Sequence, residues 1–275
     1  MGSKREAYLI DYHRRKTGAT FKLFGRDVVE LDGVRYPSSY HCLAAQIPRE
    51  STGICALDLA CGDGRLLSVL AAGGSRDWRL YGVDMSGAEL TAAAETVGDV
   101  AALIQARAQS LPLPDSSMDW VLSHLALMLM DDVDAVFTEI ARVLRPGGTL
   151  CAVVQSGKTV IQGKIAPPVV AAMERAQVQD LVPWGDPRIQ TSEGLVDLLK
   201  SGFSNLVIRD FTFLRRMEPS AYWDFLSDHY SVDCLPPEFQ ATLRCDVLAA
   251  IEPMRESDGM ISSATGLRLI RARVV

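Results

Sequence analysis

The strongest constraint on the fold is an alternation running through the middle of the chain. Apolar runs of strand length recur between segments with helical spacing, and the first run opens into a glycine turn. Gly53-Ile-Cys-Ala-Leu-Asp-Leu-Ala60 is apolar on both faces, as a strand covered on both sides must be, and Arg65 to Ala72 follows with helical spacing. Trp78 to Asp84 reads as a second strand, Gly87 to Val97 as an alanine-rich helix, Ala101 to Gln105 as a third strand and Met118 to His124 as a fourth. Asp131 to Leu144 carries Val133, Val136, Phe137, Ile140 and Leu144 on one helical face. Pro146-Gly147-Gly148 ends it, and Thr149 to Gln155 is a fifth strand. Parallel neighbours need crossovers of helix length, so this order predicts a doubly wound α/β sheet.

Past Gln155 the alternation loosens. Phe203 to Leu214 reads as a sixth strand and Gly266 to Val275 as a seventh. Around them lie two longer stretches, 157–190 and 217–258, with helical patterns broken at Pro167-Pro168 and Leu235-Pro-Pro237. Insertions at one end of a rigid sheet commonly build pockets. The expected organisation is a helical lid over 1–50, a core over 51–156, and over 157–275 the end of the sheet with two helical caps, all one domain.

Composition narrows the class. Hydrophobic residues make up 48% of 275, ample for a core, and 28 basic against 34 acidic side chains leave a net charge of −6. That balance disfavours nucleic acid as the main partner. The local basic segment from Lys4 to Arg26 reads as a solvated helix face. No apolar run reaches membrane-spanning length, and the charged start lacks a secretory h-region. Glu6 stands where a myristoylation motif wants Ser or Thr. These features predict a cytoplasmic protein with no membrane partner, and they leave room for a homo-oligomer. Six cysteines, without a C-x-x-C pair or nearby histidine clusters, predict reduced thiols and no metal site.

In an open α/β sheet, ligands bind beyond the carboxyl ends of the strands, where strand order reverses. There the sequence places Asp58-Leu-Ala-Cys-Gly-Asp-Gly64, then Asp84, then Ser123-His124. Gly62 and Gly64 allow a sharp turn and close ligand approach, and Asp84 is placed to accept from both hydroxyls of a ribose. A dinucleotide fingerprint would need a small residue where Leu67 stands, and no Gly-Lys-Ser/Thr marks a P-loop. The features therefore describe a nucleoside site.

Four segments in order carry a family resemblance. Leu57-Asp-Leu-Ala-Cys-Gly-Asp-Gly-Arg65 resembles motif I of the Rossmann-like S-adenosylmethionine-dependent methyltransferases, and Tyr81-Gly-Val-Asp-Met-Ser86 resembles their ribose-binding acidic motif. Ala108 to Asp115, with Met118-Asp-Trp-Val121, is similar to the adenine loop and fourth strand. Glu139-Ile-Ala-Arg-Val-Leu-Arg-Pro-Gly-Gly-Thr-Leu150 resembles the late signature before strand five. The resemblance implies a seven-stranded, mostly parallel sheet with the last strand antiparallel, and S-adenosylmethionine as cofactor. It implies that Asp58, Ala60, Cys61, Gly62 and Gly64 line the methionine moiety and ribose, and that Asp84 holds the ribose hydroxyls. Met85 would pack on adenine, Ala108 and Gln109 would flank its amino edge, and Ser123 would meet the methionine end. Ala60 replaces the usual first glycine. Arg107 stands where the family often has an aspartate accepting from the adenine amine, and a guanidinium can only donate.

Methyl transfer from a sulfonium is an in-line displacement in which alignment matters most; a base is needed only where the nucleophile must lose a proton. His124, at the end of strand four, is the candidate base, and it would also contact the cofactor. Tyr12, with His13, lies on the segment expected to cover the site and is a second catalytic candidate. Trp184, Tyr222, Trp223, His229 and Tyr230 lie in the caps and would line a substrate pocket or pack the caps. The expected activity is methylation of a small organic acceptor, a secondary metabolite. No Asn/Asp-Pro-Pro-aromatic run follows strand four, which disfavours DNA. A quinone or lipid C-methyltransferase, a non-methylating S-adenosylmethionine binder and a nicotinamide oxidoreductase are the competing readings.

Overall fold

The computed structural model describes residues 3–156, 171 and 185–275. The chain enters through α1 (Lys4–Arg15), whose Ser3 N-cap accepts from the Glu6 amide and whose buried face is Glu6, Leu9 and Tyr12. After α2 (Ala19–Phe24), strands β1 (Val29–Leu31) and β2 (Val34–Tyr36) form a hairpin. Its two-residue turn is Asp32-Gly33, both at positive φ, the backbone that tight hairpins favour. This small sheet and the following α3 (Ser39–Ala44) were not anticipated, although Asp-Gly between apolar residues is a hairpin signal.

The alternation in the middle of the chain becomes β3 (Cys55–Leu59), α4 (Arg65–Gly73), β4 (Arg79–Asp84), α5 (Gly87–Val97), β5 (Ala101–Gln105), β6 (Met118–His124), α6 (Val133–Val143) and β7 (Leu144–Gln155). With β8 (Phe203–Met217) and β9 (Ile261–Val274), the strands make one sheet in the order β5-β4-β3-β6-β7-β9-β8. β3 runs parallel to both β4 and β6, β6 is parallel to β7, and β9 is antiparallel to β7. The seven-stranded, mostly parallel expectation holds. Every position of β3 is buried, as its unbroken apolar run requires. Because the chain leaves β3 on one side through β4 and returns on the other through β6, a crevice opens beyond the end of β3.

Two local differences have clear causes. Helix α6 ends at Val143, and Leu144 starts β7 instead of closing the helix. Pro146-Gly147-Gly148 is not a stop before the strand but an irregularity within it: opposite Met118 stands Leu144, yet opposite Trp120 stands Thr149. Proline has no N–H for the ladder and Gly147 sits at φ 77, so the strand bulges there. Leu67, too large for a dinucleotide fingerprint, fits because Gly82 on β4 makes room: a Cβ there would lie 2.7 Å from Leu67 Cδ1 and 2.9 Å from Cys61 Sγ.

The chain divides into two compact units, one of residues 1–156, 185–211 and 267–275, the other of 157–184 and 212–266. The boundary therefore falls within β8 and β9, and residues 1–50 group with the core. In the first unit α7 (Ser192–Leu199) buries Leu195, Leu198 and Leu199. In the second, α8 (Pro219–Ser227), α9 (Tyr230–Asp233) and α10 (Pro237–Ile251) gather Tyr222, Trp223, Leu226, Val247 and Ile261 into a separate apolar core. Tyr222 and Trp223 thus pack this unit, and the Phe225 ring meets His229 edge-on at 4.7 Å. Trp184 and Pro167-Pro168 lie outside the described residues. Among the described residues, no helix is long and apolar enough to cross a membrane, and no group of metal-ligating side chains occurs.

Candidate active site

The loop after β3 turns through three left-handed residues, Ala60 (φ 60), Gly62 (φ 51) and Gly64 (φ 80). Glycine takes this backbone freely, whereas Ala60 carries a Cβ strain of about 1 kcal/mol. At Gly64 the space is also closed, since a Cβ would lie 2.9 Å from Val97 Cγ1 and 3.2 Å from Ala93 Cα. The loop is stitched to β4. The Cys61 amide donates to the Val83 carbonyl at 3.0 Å. The Gly62 amide donates to Asp84 Oδ2 at 2.9 Å and the Ser86 amide to Asp84 Oδ1 at 2.8 Å. Burial raises the Asp84 pKa while those two amides oppose the shift. Each carboxylate oxygen keeps a second lone pair for a ligand hydroxyl.

Asp58, Ala60, Cys61, Gly62 and His124 line one cavity, with about 30 Å³ of free space. Asp58 is buried and its Oδ2 has no hydrogen-bond partner. Burial, reinforced by the charges of Asp84 and Asp63, pushes its pKa well above the carboxylate range. His124 Nε2 lies 2.9 Å from Ser39 Oγ, and the Tyr40 ring stacks on the imidazole at 3.8 Å. Its Nδ1 has no partner, and burial lowers its pKa to about 3. Ser39 and Tyr40 escaped the sequence reading, being some 85 residues from His124.

Glu89 was also missed. It lines the same cavity, nearly fully buried, and accepts from the Gly18 amide at 3.1 Å while its Oε1 meets His13 Nδ1 at 2.6 Å. The signal was present: Ser86 caps α5 and accepts from the Glu89 amide, the spacing of a capping box. Here the glutamate reaches toward the N-terminal segment.

A second cavity, of about 340 Å³, lies beyond β4 and β5 and is lined by Met85, Gln105, Ala106 and Arg107 with Ser3, Glu6, Ala7 and Ile10 of the N-terminal segment. Met85, the residue expected to pack on adenine, lines this cavity. Ala108 and Gln109 do not line this cavity; the Gln109 amide nitrogen donates to the Asp131 carbonyl. Arg107 donates through Nε and Nη2 to Glu6 Oε1, at 3.1 and 2.6 Å. Ser123 is fully buried, with its hydroxyl donating to the Leu59 carbonyl at 3.0 Å, so it ties β6 to β3 instead of lining the cavity. Tyr12 is fully buried and lines neither cavity, although its neighbour His13 reaches Glu89.

The late signature acts on the loop after β5. Arg142 donates to the carbonyls of Leu111 and Leu113 at 2.9 and 2.8 Å, and the Leu111 amide donates to Glu139 Oε2 at 2.6 Å. Arg142 and Glu139 are themselves paired at 2.7 Å, so one turn of α6 clamps the loop.

Asp58, Asp63 and Glu89 converge on the first cavity, and one of their buried oxygens is orphaned. Such a cluster favours a cation, and S-adenosylmethionine carries two, a sulfonium and an ammonium. Asp84 beside it offers acceptors for a ribose. The residues present fit this cofactor.

Residues 57–152 match the family model described as a methyltransferase domain. The demethylmenaquinone methyltransferase of Bacillus mycoides is 28% identical over 174 residues, covering 58% of this chain and 73% of that protein. Among solved structures, Haemonchus contortus phosphoethanolamine N-methyltransferase 2, in complex with phosphomonomethylethanolamine and S-adenosylhomocysteine, aligns with a TM-score of 0.60 at 16% identity. That alignment covers 99% of this chain and 60% of the other. A [4+2]-cyclase aligns with a TM-score of 0.58 at 19% identity, covering 96% and 94%, so the fold by itself does not name a reaction. Residues 57–152 are thus a methyltransferase domain on a Rossmann-like fold, and the glycine loop, Asp84 and the acidic cavity fit S-adenosylmethionine as its cofactor.

Proposed function

We propose that the chain transfers a methyl group from S-adenosylmethionine to a small organic acceptor, a secondary metabolite, by in-line displacement. The observation that carries this reading is the pair of orphaned buried atoms, Asp58 Oδ2 and His124 Nδ1, on residues lining one cavity with the glycine loop. One orphan invites a cation and the other a hydrogen-bonding group of the acceptor. When bound, the cofactor supplies a methyl group already activated by its sulfonium. Asp58 would face its cationic end, Asp84 its ribose hydroxyls and Met85 its base.

His124 acts as an orienting group more than as a base. With a pKa of about 3, its imidazole is neutral throughout the physiological range, a poor proton sink compared with the ordinary value near 6.5. Ser39 Oγ also lies 3.4 Å from the Phe24 carbonyl. If the hydroxyl donates there, it accepts from His124 Nε2–H, and Nδ1 presents a lone pair to the acceptor. Alignment then does most of the catalytic work.

The Bacillus mycoides relative favours a second reading, C-methylation of a quinone ring. One experiment separates the readings: incubation with S-adenosylmethionine and a panel of phenols, amines, thiols and quinols, followed by mass spectrometry. Methylated phenol, amine or thiol with matching S-adenosylhomocysteine supports the proposal. Product from quinols alone supports the second reading, and no turnover with any acceptor contradicts both.

A further inference from the structure

We propose that the Glu6–Arg107 ion pair reads the Watson–Crick edge of the cofactor's adenine, Glu6 accepting from the exocyclic amine and Arg107 donating to the adjacent ring nitrogen. The proposal rests on S-adenosylmethionine occupying the crevice and concerns which side chains select its base.

The cavity beside Met85 has about 340 Å³ of free space, enough for a purine. Met85 follows directly on Asp84, the ribose acid, so a base attached to that ribose falls on this side of the loop. Most of the remaining wall is apolar: Ala7, Ile10 and Ala106. The Gln105 amide nitrogen is held by the Met85 carbonyl at 3.1 Å, and the Ser3 hydroxyl by Asp131. The charged groups on the wall are Glu6 and Arg107.

Their contacts leave one carboxylate oxygen and one guanidinium nitrogen of a bonded pair available to a ligand. Both Arg107 contacts, from Nε and Nη2, go to Glu6 Oε1. Among the described residues, neither Glu6 Oε2 nor Arg107 Nη1 has a hydrogen bond. Glu6 is only 6% exposed, so its carboxylate is fixed and largely shielded from competing water. Adenine presents a donor, its N6 amine, next to an acceptor, N1, which complements this pair. Hypoxanthine reverses both: O6 would meet the carboxylate and N1–H the guanidinium. A loop residue that can only donate is thus completed by an acceptor from α1, about 100 residues away in sequence.

The test is calorimetric titration of the full chain with S-adenosylhomocysteine and with S-inosylhomocysteine, which carries oxygen in place of the amine. Wild type is expected to prefer the adenine ligand by about thirtyfold or more, since a charged acceptor is left mispaired otherwise. Glu6→Ala and Arg107→Ala are expected to bring the preference within about threefold, and the isosteric Glu6→Gln to give an intermediate ratio. The ratio is measured on one protein sample, so partial loss of folded material does not change it. Full preference retained in Glu6→Ala overturns the proposal while leaving the cofactor assignment intact. Wild type that binds neither ligand overturns the assignment and the proposal together.

Discussion

Asp58 and His124 show what the site costs the fold. A buried carboxylate without a partner destabilises the ligand-free chain, so Asp58→Asn should raise its melting temperature by a few degrees while weakening S-adenosylmethionine about tenfold or more. Scanning calorimetry and titration on the same variant check both halves; a lower melting temperature with unchanged affinity would contradict the account. The pH dependence of His124 has a definite sign. Its folded pKa is depressed to about 3, so between pH 6.5 and 3 the unfolded chain takes up a proton that the folded chain refuses. The contribution of neutral His124 is full above pH 6.5 and falls as pH drops, by up to about 1.4 kcal/mol per unit. Denaturant titrations at pH 7, 6 and 5 should therefore show a shallower decline in His124→Gln than in wild type. Ala60 invites the opposite change: at φ 60 a glycine relieves strain, and Ala60→Gly should leave stability unchanged or raise it by up to about 1 kcal/mol.

At the scale of elements, the clamp from α6 makes a sharper statement. Arg142→Ala removes donors to Leu111, Leu113 and Glu139 together, and the unfolding free energy should fall by about 2 kcal/mol or more. Unchanged denaturant midpoints would show that the loop after β5 holds without it. This level also separates what could be read from sequence from what could not. The glycine loop and Asp84 were legible because the features that mark them are local: a strand end, a turn that needs left-handed residues, and an acid at the next strand end. The clamp was seen only as a signature, and Pro146-Gly147-Gly148 was misread because a helix stop and a strand bulge use the same residues. Glu89 and the Asp32-Gly33 hairpin left local signals that went unused. Ser39, Tyr40, Glu6 and Gly18 left none, because their roles arise only when the N-terminal elements fold onto strands far along the chain.

Across the whole molecule, the N-terminal fifty residues belong with the core and contribute Gly18, Tyr40 and Glu6 to the two cavities. The cavity at the glycine loop has about 30 Å³ of space, room for about one water and too little for the methionine and ribose parts of the cofactor. Cofactor binding must therefore displace Gly18, Tyr40 or their neighbours, and hydrogen exchange over residues 4–44 should change on adding S-adenosylhomocysteine. An unchanged exchange pattern there would contradict this. Titration of wild type and Asp84→Ala with S-adenosylmethionine and with NADH decides whether the glycine loop and Asp84 hold S-adenosylmethionine. The account predicts micromolar sulfonium binding that is lost in the variant and no comparable affinity for NADH. Absent sulfonium binding, or a preference for NADH, would contradict it.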